Sequence, residues 1–258
     1  MQYERPDFID IAPARIAVAS TAVAFAEPKH DGAWAWVVSD GHTATVTSRT
    51  GKALRTFPSG LRFVLAGEYM AGTQRAAASP LRGCVVVFDC LEDEGVCIEG
   101  LTLSERRAHA ARIVAAVGAP LVLVEQVPAC DAVALYRREI EAGGEGIVLK
   151  FDDVWGVEFV RAKRVCTIDA VCLGARGRSI EIGLYDTRGR LVSAGLISGG
   201  PKAAKAGAVV VGRVLRVVAM ELTDAGSLRH GRFDSWHEDK PATSCTLTAA
   251  RAASTSPF

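Results

Sequence analysis

Glu27-Pro28-Lys29-His30-Asp31-Gly32 interrupts two apolar stretches, Val23 to Phe25 and Ala33 to Val38. Pro28 and Gly32 punctuate a turn, so the flanks read as two strands joined by a short connection. In the second strand Trp34 and Trp36 fall on one face, by the period of two. Lys29 then stands in a tight turn between strands, where an amine can be presented as a nucleophile. An amine attacks only when neutral, so that chemistry needs neighbours that desolvate it or remove its proton. A lone K-x-D-G is a common surface turn, and its meaning depends on the residues downstream of it.

Further strands are expected. Leu61 to Leu65 reads as one, stopped by Ala66-Gly67. Cys84 to Phe88 is a continuous apolar run, the pattern of a central buried strand. Thr102-Leu103-Ser104-Glu105 is a capping-box pattern and predicts a helix to about Val117. Ala110, Ile113, Val114 and Val117 share its inner face, and Gly118 suits the left-handed stop. Asp131 can cap a second helix to about Ala142, ended by Gly143-Gly144. Ile147 to Leu149 returns to strand.

From Cys166 the character changes to short alternating segments: Thr167–Leu173, Ile180–Tyr185, Leu191–Ile197 and Val214–Leu222. Turns such as Asp186-Thr187-Arg188-Gly189 separate them, the pattern of a small β-barrel or sandwich. Two domains are expected, 1–165 and 166–258, with a fraying Ala/Thr/Ser-rich tail from 241. The fold class is α+β.

Composition narrows the function classes. The chain has 258 residues, 49% hydrophobic and 23% charged, which excludes a disordered chain, a collagen and a disulfide-dense scaffold. No apolar run reaches the ~20 residues of a membrane-spanning helix. The N-terminus lacks the basic start and apolar stretch of a signal peptide, so the expectation is a cytoplasmic protein. The seven cysteines include no C-x-x-C pair, which argues for buried small hydrophobes in a reducing compartment. Charge is asymmetric. Residues 1–165 hold 18 Lys+Arg against 21 Asp+Glu, residues 166–258 hold 12 against 8, and −3 with +4 returns the net +1. A basic C-terminal part is what a polyanion partner would meet, although a solvated surface would show the same balance.

After Lys29, chemistry-bearing pieces come in order. They are Ser48-Arg49-Thr50-Gly51-Lys52, Gly67-Glu68-Tyr69, Phe88-Asp89, Glu145-Gly146-Ile147-Val148-Leu149-Lys150, Phe159-Val160-Arg161-Ala162-Lys163, and Arg232-Phe233 with His237-Glu238-Asp239-Lys240. Each is weak alone. As an ordered set from about residue 22 to residue 246, with a barrel after the fifth, they resemble the covalent nucleotidyltransferases, and most closely the ATP-dependent DNA ligases.

The resemblance implies an adenylation domain of antiparallel sheets and flanking helices, followed by an OB-fold barrel that clamps a nucleic-acid backbone. Lys29 would take AMP from ATP. Glu145 would hold Mg²⁺ or Mn²⁺ and keep Lys29 in play as an amine, while Glu68 would contact the ribose or the metal. Phe88 would stack on adenine, with a plain core phenylalanine as the alternative. Glu27 would read the adenine amine through its backbone. Lys163 and Arg161 would grip phosphate, where fixed cations meet growing charge. Arg49 would bind the nick phosphate or the nucleotide, or else form a surface ion pair. His237 and Lys240 would orient pyrophosphate. The partner would be nicked duplex DNA, with no membrane and a monomeric chain.

Several positions depart from the family pattern. Trp34 stands where these ligases usually carry an arginine, Arg161 where they carry a lysine, and Ser235 and His237 where they carry arginines. The stretch from Glu68 to Phe88 is short. An RNA ligase or RNA-repair enzyme, a capping guanylyltransferase and a non-catalytic nucleic-acid-binding relative stay open beside the DNA ligase.

Overall fold

The computed structural model of the chain describes residues 4–71, 79–199 and 209–255. Contacts divide it into two compact units, Met1–Lys163 and Arg164–Phe258. The first unit contains, in order, β1 (Phe8–Ile11), α1 (Ile16–Ala19), β2 (Phe25–Pro28), β3 (Ala33–Asp40), β4 (Thr43–Ser48), β5 (Ala53–Pro58), β6 (Arg62–Tyr69), β7 (Val85–Asp93) and β8 (Val96–Cys97). It continues with α2 (Leu103–Val117), β9 (Leu121–Leu123), β10 (Val127–Pro128), α3 (Ala132–Glu141), β11 (Gly146–Lys150) and β12 (Phe159–Lys163).

These strands form two sheets. One runs β5-β4-β3-β6-β7-β8, with β9 parallel to β7; the other runs β1-β12-β11-β2-β10. Alternation gives each sheet two distinct faces. In the larger sheet Ala35, Val37, Phe63, Leu65, Val85 and Val87 pack with Ala110 and Ile113 of α2. In the smaller, Ala26, Ile147, Leu149, Val160 and Ala162 pack with Leu135, Tyr136 and Ile140 of α3. The opposite faces, carrying Trp34, Glu68 and Phe88 on one sheet and Glu27, Lys150 and Phe159 on the other, line a common pocket.

Helix α2 carries the full capping box: Thr102 accepts from the Glu105 N–H, and Glu105 returns a carboxylate to Thr102. Helix α3 starts after Asp131, but that side chain makes no cap hydrogen bond. Three strand expectations are corrected. Strand β2 is Phe25–Pro28 rather than Val23–Phe25, and Pro28, paired with Ile147 on one side and lying past the end of β10 on the other, loses no ladder bond through its missing N–H. Strand β6 continues past Gly67 to Tyr69. A Cβ at Gly67 would lie 2.7 Å from Val85 Cγ1 and 2.8 Å from the Val86 carbonyl oxygen, so the glycine admits β7 rather than ending β6. Strand β7 continues past Phe88 to Asp93, and the register slips between Ala66 and Gly67, leaving Phe88 as the extra, bulged residue.

The second unit is a closed barrel, β13-β14-β15-β19-β16. Its strands are β13 (Cys166–Arg176), β14 (Ser179–Tyr185), β15 (Leu191–Ser198), β16 (Val214–Ala219) and β19 (Arg232–Trp236), with β17 (Glu221–Leu222) and β18 (Leu228–Arg229) forming a separate ribbon. The expected Val214–Leu222 strand is therefore two, broken at Met220. The tail is not frayed as expected: α4 (Leu247–Thr255) packs Ala250 into the barrel core, and Ser254 Oγ accepts from the Leu222 N–H at 2.8 Å. The end of that tail and part of the Glu68–Phe88 connection lie outside the described residues. Four cysteines are buried as expected, but Cys97 and Cys130 are exposed and Cys84 is partly so. No helix among the described residues is long and apolar enough to cross a membrane.

Candidate functional site

The strand period places the site. Glu27 and then Lys29 continue one face of β2; Val148 and Lys150 share a face of β11; Phe159, Arg161 and Lys163 share a face of β12. Opposite them, Trp34 of β3 pairs with Glu68 of β6, and the bulge turns Phe88 of β7 toward the same space. The cavity they enclose has a volume of about 200 Å³.

Lys29 Nζ donates to Glu145 Oε2 at 2.7 Å, with 15% and 10% of the two side chains exposed. The Lys29 N–H also donates to the Gly146 carbonyl, so the turn is pinned to the start of β11. Gly146 has φ +139°, and a Cβ there would lie 2.1 Å from the Ala162 carbonyl oxygen; only glycine lets the start of β11 lie this close to β12 in the conformation that follows Glu145. Glu68 Oε1 accepts the Gly32 N–H at 3.0 Å on the other side of the lysine turn. The carboxyl of Glu68 is pushed up from its ordinary range, first by burial and further by Glu145, with Lys29 and the Gly32 N–H opposing. His30 is pushed down by burial and by Lys29. Lys163 is pushed down by burial and then by Arg161.

Beneath the pocket lies a buried ionic network. Lys150 Nζ is 2.6 Å from Glu27 Oε2, and both side chains are almost fully buried. The same ammonium sits 4.6 Å from the Phe88 ring centre and 4.7 Å from that of Phe159. Gln126 Nε2 donates to Glu27 Oε1 at 2.9 Å, and Arg107 Nη1 stands 3.9 Å from it without a hydrogen-bond partner among the described residues. The Glu27 side chain is thus committed to structure. Phe88 is half-buried, tilted against Trp34 at 5.0 Å between centroids, and still lines the cavity.

The residues singled out from the sequence do not all converge. Lys29, Glu27, Glu68, Phe88 and Arg161 line the pocket, Glu145 touches Lys29, and Lys163 pairs in register with Gly146. Arg49 lines a neighbouring cavity with Trp36, Arg62 and Glu92. His237 and Lys240, in the second unit, both pair with Asp169, His237 Nε2 at 2.8 Å. Burial would raise the Asp169 carboxyl, but hydrogen bonds from Lys240 and His237 outweigh it and hold it below its ordinary range.

No family model and no curated protein sequence matches the chain. Solved structures do. A structure from a study of DNA binding by the minimal-scaffold Lig E DNA ligases superposes with a TM-score of 0.66 at 16% identity, covering 91% of this chain and all of that one. A mycobacterial DNA ligase D complexed with ATP and MES gives 0.53 at 18% identity, covering 95% and 99%. The ligase domain of M. tuberculosis LigD gives 0.51 at 19% identity over the same shares. This chain has the fold of the ATP-dependent DNA ligases. The α+β ligase fold with its terminal barrel matches the architecture expected from the sequence.

Within that ligase fold, sequence reasoning missed Gln126, Arg107, Asp169 and Arg5, and it quoted Lys150 without giving it a role. A charged residue closing the apolar run Ile147-Val148-Leu149 on the Val148 face was the signal available for Lys150. Arg5 and Gln126 come from loops, Arg107 from a helix and Asp169 from barrel strand β13, with no motif around them.

The raised carboxyl of Glu68 has a stability consequence. Its folded pKa lies above the unfolded one, so the folded state binds more protons in that window and stability falls as pH rises through it. Glu68→Gln keeps an acceptor for the Gly32 N–H and removes the desolvated charge. We expect it to raise Tm near neutral pH by about 2–4 °C, the shift for roughly 1 kcal/mol in a chain of this size. Thermal melts at descending pH should show the gain shrinking as the wild-type carboxyl protonates. A gain constant with pH would rule out the buried charge as its source.

Proposed function

We propose that the chain is an ATP-dependent polynucleotide ligase that seals nicks in duplex DNA through a lysyl-AMP intermediate. The observation that carries this reading is Lys29 Nζ held 2.7 Å from Glu145 in a pocket with an aromatic wall and a cationic wall. The amine attacks the α-phosphorus of ATP; the P–N bond forms as the α–β anhydride bond breaks, and pyrophosphate leaves. Glu145, already hydrogen-bonded to Nζ, is placed to accept the proton. Phe88 offers a face to the purine, Glu68 reaches toward the ribose, and Lys163 and Arg161 stabilise charge on phosphate. AMP then passes to the 5′-phosphate of the nick, and the 3′-hydroxyl attacks that phosphate and expels AMP.

Among the described residues no group of three or more His, Cys, Asp or Glu converges to cage a metal. Two carboxylates, Glu68 and Glu145, flank Lys29, which fits Mg²⁺ or Mn²⁺, since such ions keep several waters and lean on substrate phosphates. Bound there, the ion would neutralise phosphate charge as a Lewis acid. The barrel, with the +4 excess of residues 166–258, is read as the DNA clamp. His237 and Lys240 are assigned to the triphosphate, and Asp169 is the anion they must leave to reach it. Arg49 is assigned to the nick phosphate. The protein is read as a monomer in the cytoplasm of a bacterial or virus-infected cell.

The test is an intact mass after incubation with Mg²⁺ and ATP, GTP or NAD, followed by sealing of nicked DNA against joining of RNA ends. The expected result is an AMP adduct from ATP and faster sealing of nicked DNA. A GMP adduct would point to capping chemistry, faster RNA joining to an RNA ligase, and no adduct to a non-catalytic relative.

A further inference from the structure

Arg5 lies outside every motif singled out above, yet it lines the same pocket as Lys29. Its guanidinium carbon sits 4.6 Å from the Phe8 ring centre and 5.2 Å from that of Trp34. Stacking of this kind uses the faces of the guanidinium and leaves its in-plane N–H donors available. Arg5 makes no hydrogen bond or ion pair with a described residue.

Its neighbour shows the contrast. Arg161 also packs on Phe8, at 4.2 Å, but its fork is closed on Asp10 by bonds of 2.9 and 3.1 Å. Two guanidinium groups on one ring repel unless anions offset them, and Asp10 offsets one. Burial, Arg49 and Arg161 all disfavour the charge on Arg5, and Glu68 and Asp7 oppose them only from beyond ion-pair range. Trp34, which Arg5 covers, adds a second uncommitted donor: its Nε1 is buried without a hydrogen-bond partner among the described residues.

We propose that Arg5, presented on Phe8 and Trp34, binds a phosphate group at the nucleotide pocket. The inference rests on the proposed nucleotide chemistry, because that reading puts phosphates in this pocket. Two sources carry the same chemistry: the triphosphate of ATP and the 5′-phosphate of a nicked strand.

The experiment separates them without requiring turnover. Equilibrium binding of adenosine and of ATP, without divalent metal, is followed by tryptophan fluorescence in wild type, Arg5→Ala and Arg5→Lys. Binding of nicked duplexes ending in 5′-phosphate or 5′-hydroxyl is measured in parallel. If the triphosphate is the ligand, Arg5→Ala weakens ATP about tenfold or more, the loss of one charge-assisted contact, and leaves adenosine unchanged. If the strand end is the ligand, Arg5→Ala instead erases the preference for 5′-phosphate. Arg5→Lys restores part of either effect, since charge remains while the stacked fork is lost. A purely structural cap on Trp34 would lower Tm and weaken adenosine and ATP alike, which overturns the proposal. So does an Arg5→Ala protein that matches wild type in both assays. Absence of an AMP adduct on wild-type protein with Mg²⁺ and ATP is a separate result that sinks the ligase reading.

Discussion

Lys29→Ala is expected to remove the AMP adduct completely and to slow ATP-dependent sealing more than about a thousandfold, equivalent to roughly 4 kcal/mol of barrier. The wild-type amine has no substitute nearby. Lys150 is buried against Glu27 and two aromatic rings, and Lys163 belongs to the next strand. The alanine variant also leaves Glu145 without its donor, so some loss of stability should accompany the loss of chemistry. Lys29→Arg separates the two. A guanidinium can keep the contact with Glu145 but stays charged and does not attack. Its Tm should stay near that of wild type while intact mass shows no adduct. An adduct on either variant would place the nucleophile elsewhere.

Lys150→Met is expected to give the largest stability change of any single substitution in the pocket. It strips a buried carboxylate of the cation 2.6 Å away. Breaking a buried pair by removing one partner costs about 3–5 kcal/mol, because the remaining charge stays out of water. Arg107 Nη1, 3.9 Å from Glu27 and lacking a partner among the described residues, is the nearest replacement cation and sets the cost toward the lower end. Gln126 still donates to the other carboxylate oxygen. Adding Glu27→Gln removes the stranded charge, so the double variant should recover most of the loss in urea unfolding. A single-variant loss below about 1 kcal/mol would mean that the network closes on Arg107 unaided.

Local signals carried much of this architecture. The Thr102 capping box gave a helix whose start and stop match the sequence reading, because both ends are written in neighbouring residues. The strands around Lys29 and the alternation after Cys166 were equally local. What failed was tertiary. Gly67 looks like a stop, but its lack of a side chain serves the close approach of β7, visible only once β7 is paired. Ala, Thr and Ser in the tail suggest fraying, yet Ala250 and Ser254 are small enough to dock a helix on the barrel. At the site, motif order picked out Lys29, Glu145 and Glu68. Arg5 reached the same pocket, and Gln126 reached Glu27, through pairing of segments far apart in the chain, and no residue pattern announces that.

The two sheets of the first unit differ in how much chain each pairing must gather. In the larger sheet β3, β4 and β5 pair in succession, β6 pairs with β7, and β3 meets β6 across only the β4–β5 hairpin, while Phe8 pairs with Phe159 across almost the whole unit. Long-range pairing loses loop entropy before any contact repays it, so the larger sheet should form first and the β1–β12 edge last. Opening should run in reverse. Strand β1, with Phe8 beside Arg161 and Arg5 just ahead of it, would detach while Val37, Val64 and Leu65 stay protected, leaving a folded molecule with half a pocket wall. Amide exchange at Ile9 and Ile11 faster than at Val37 and Leu65 would show this order, and equal protection would show one cooperative unit.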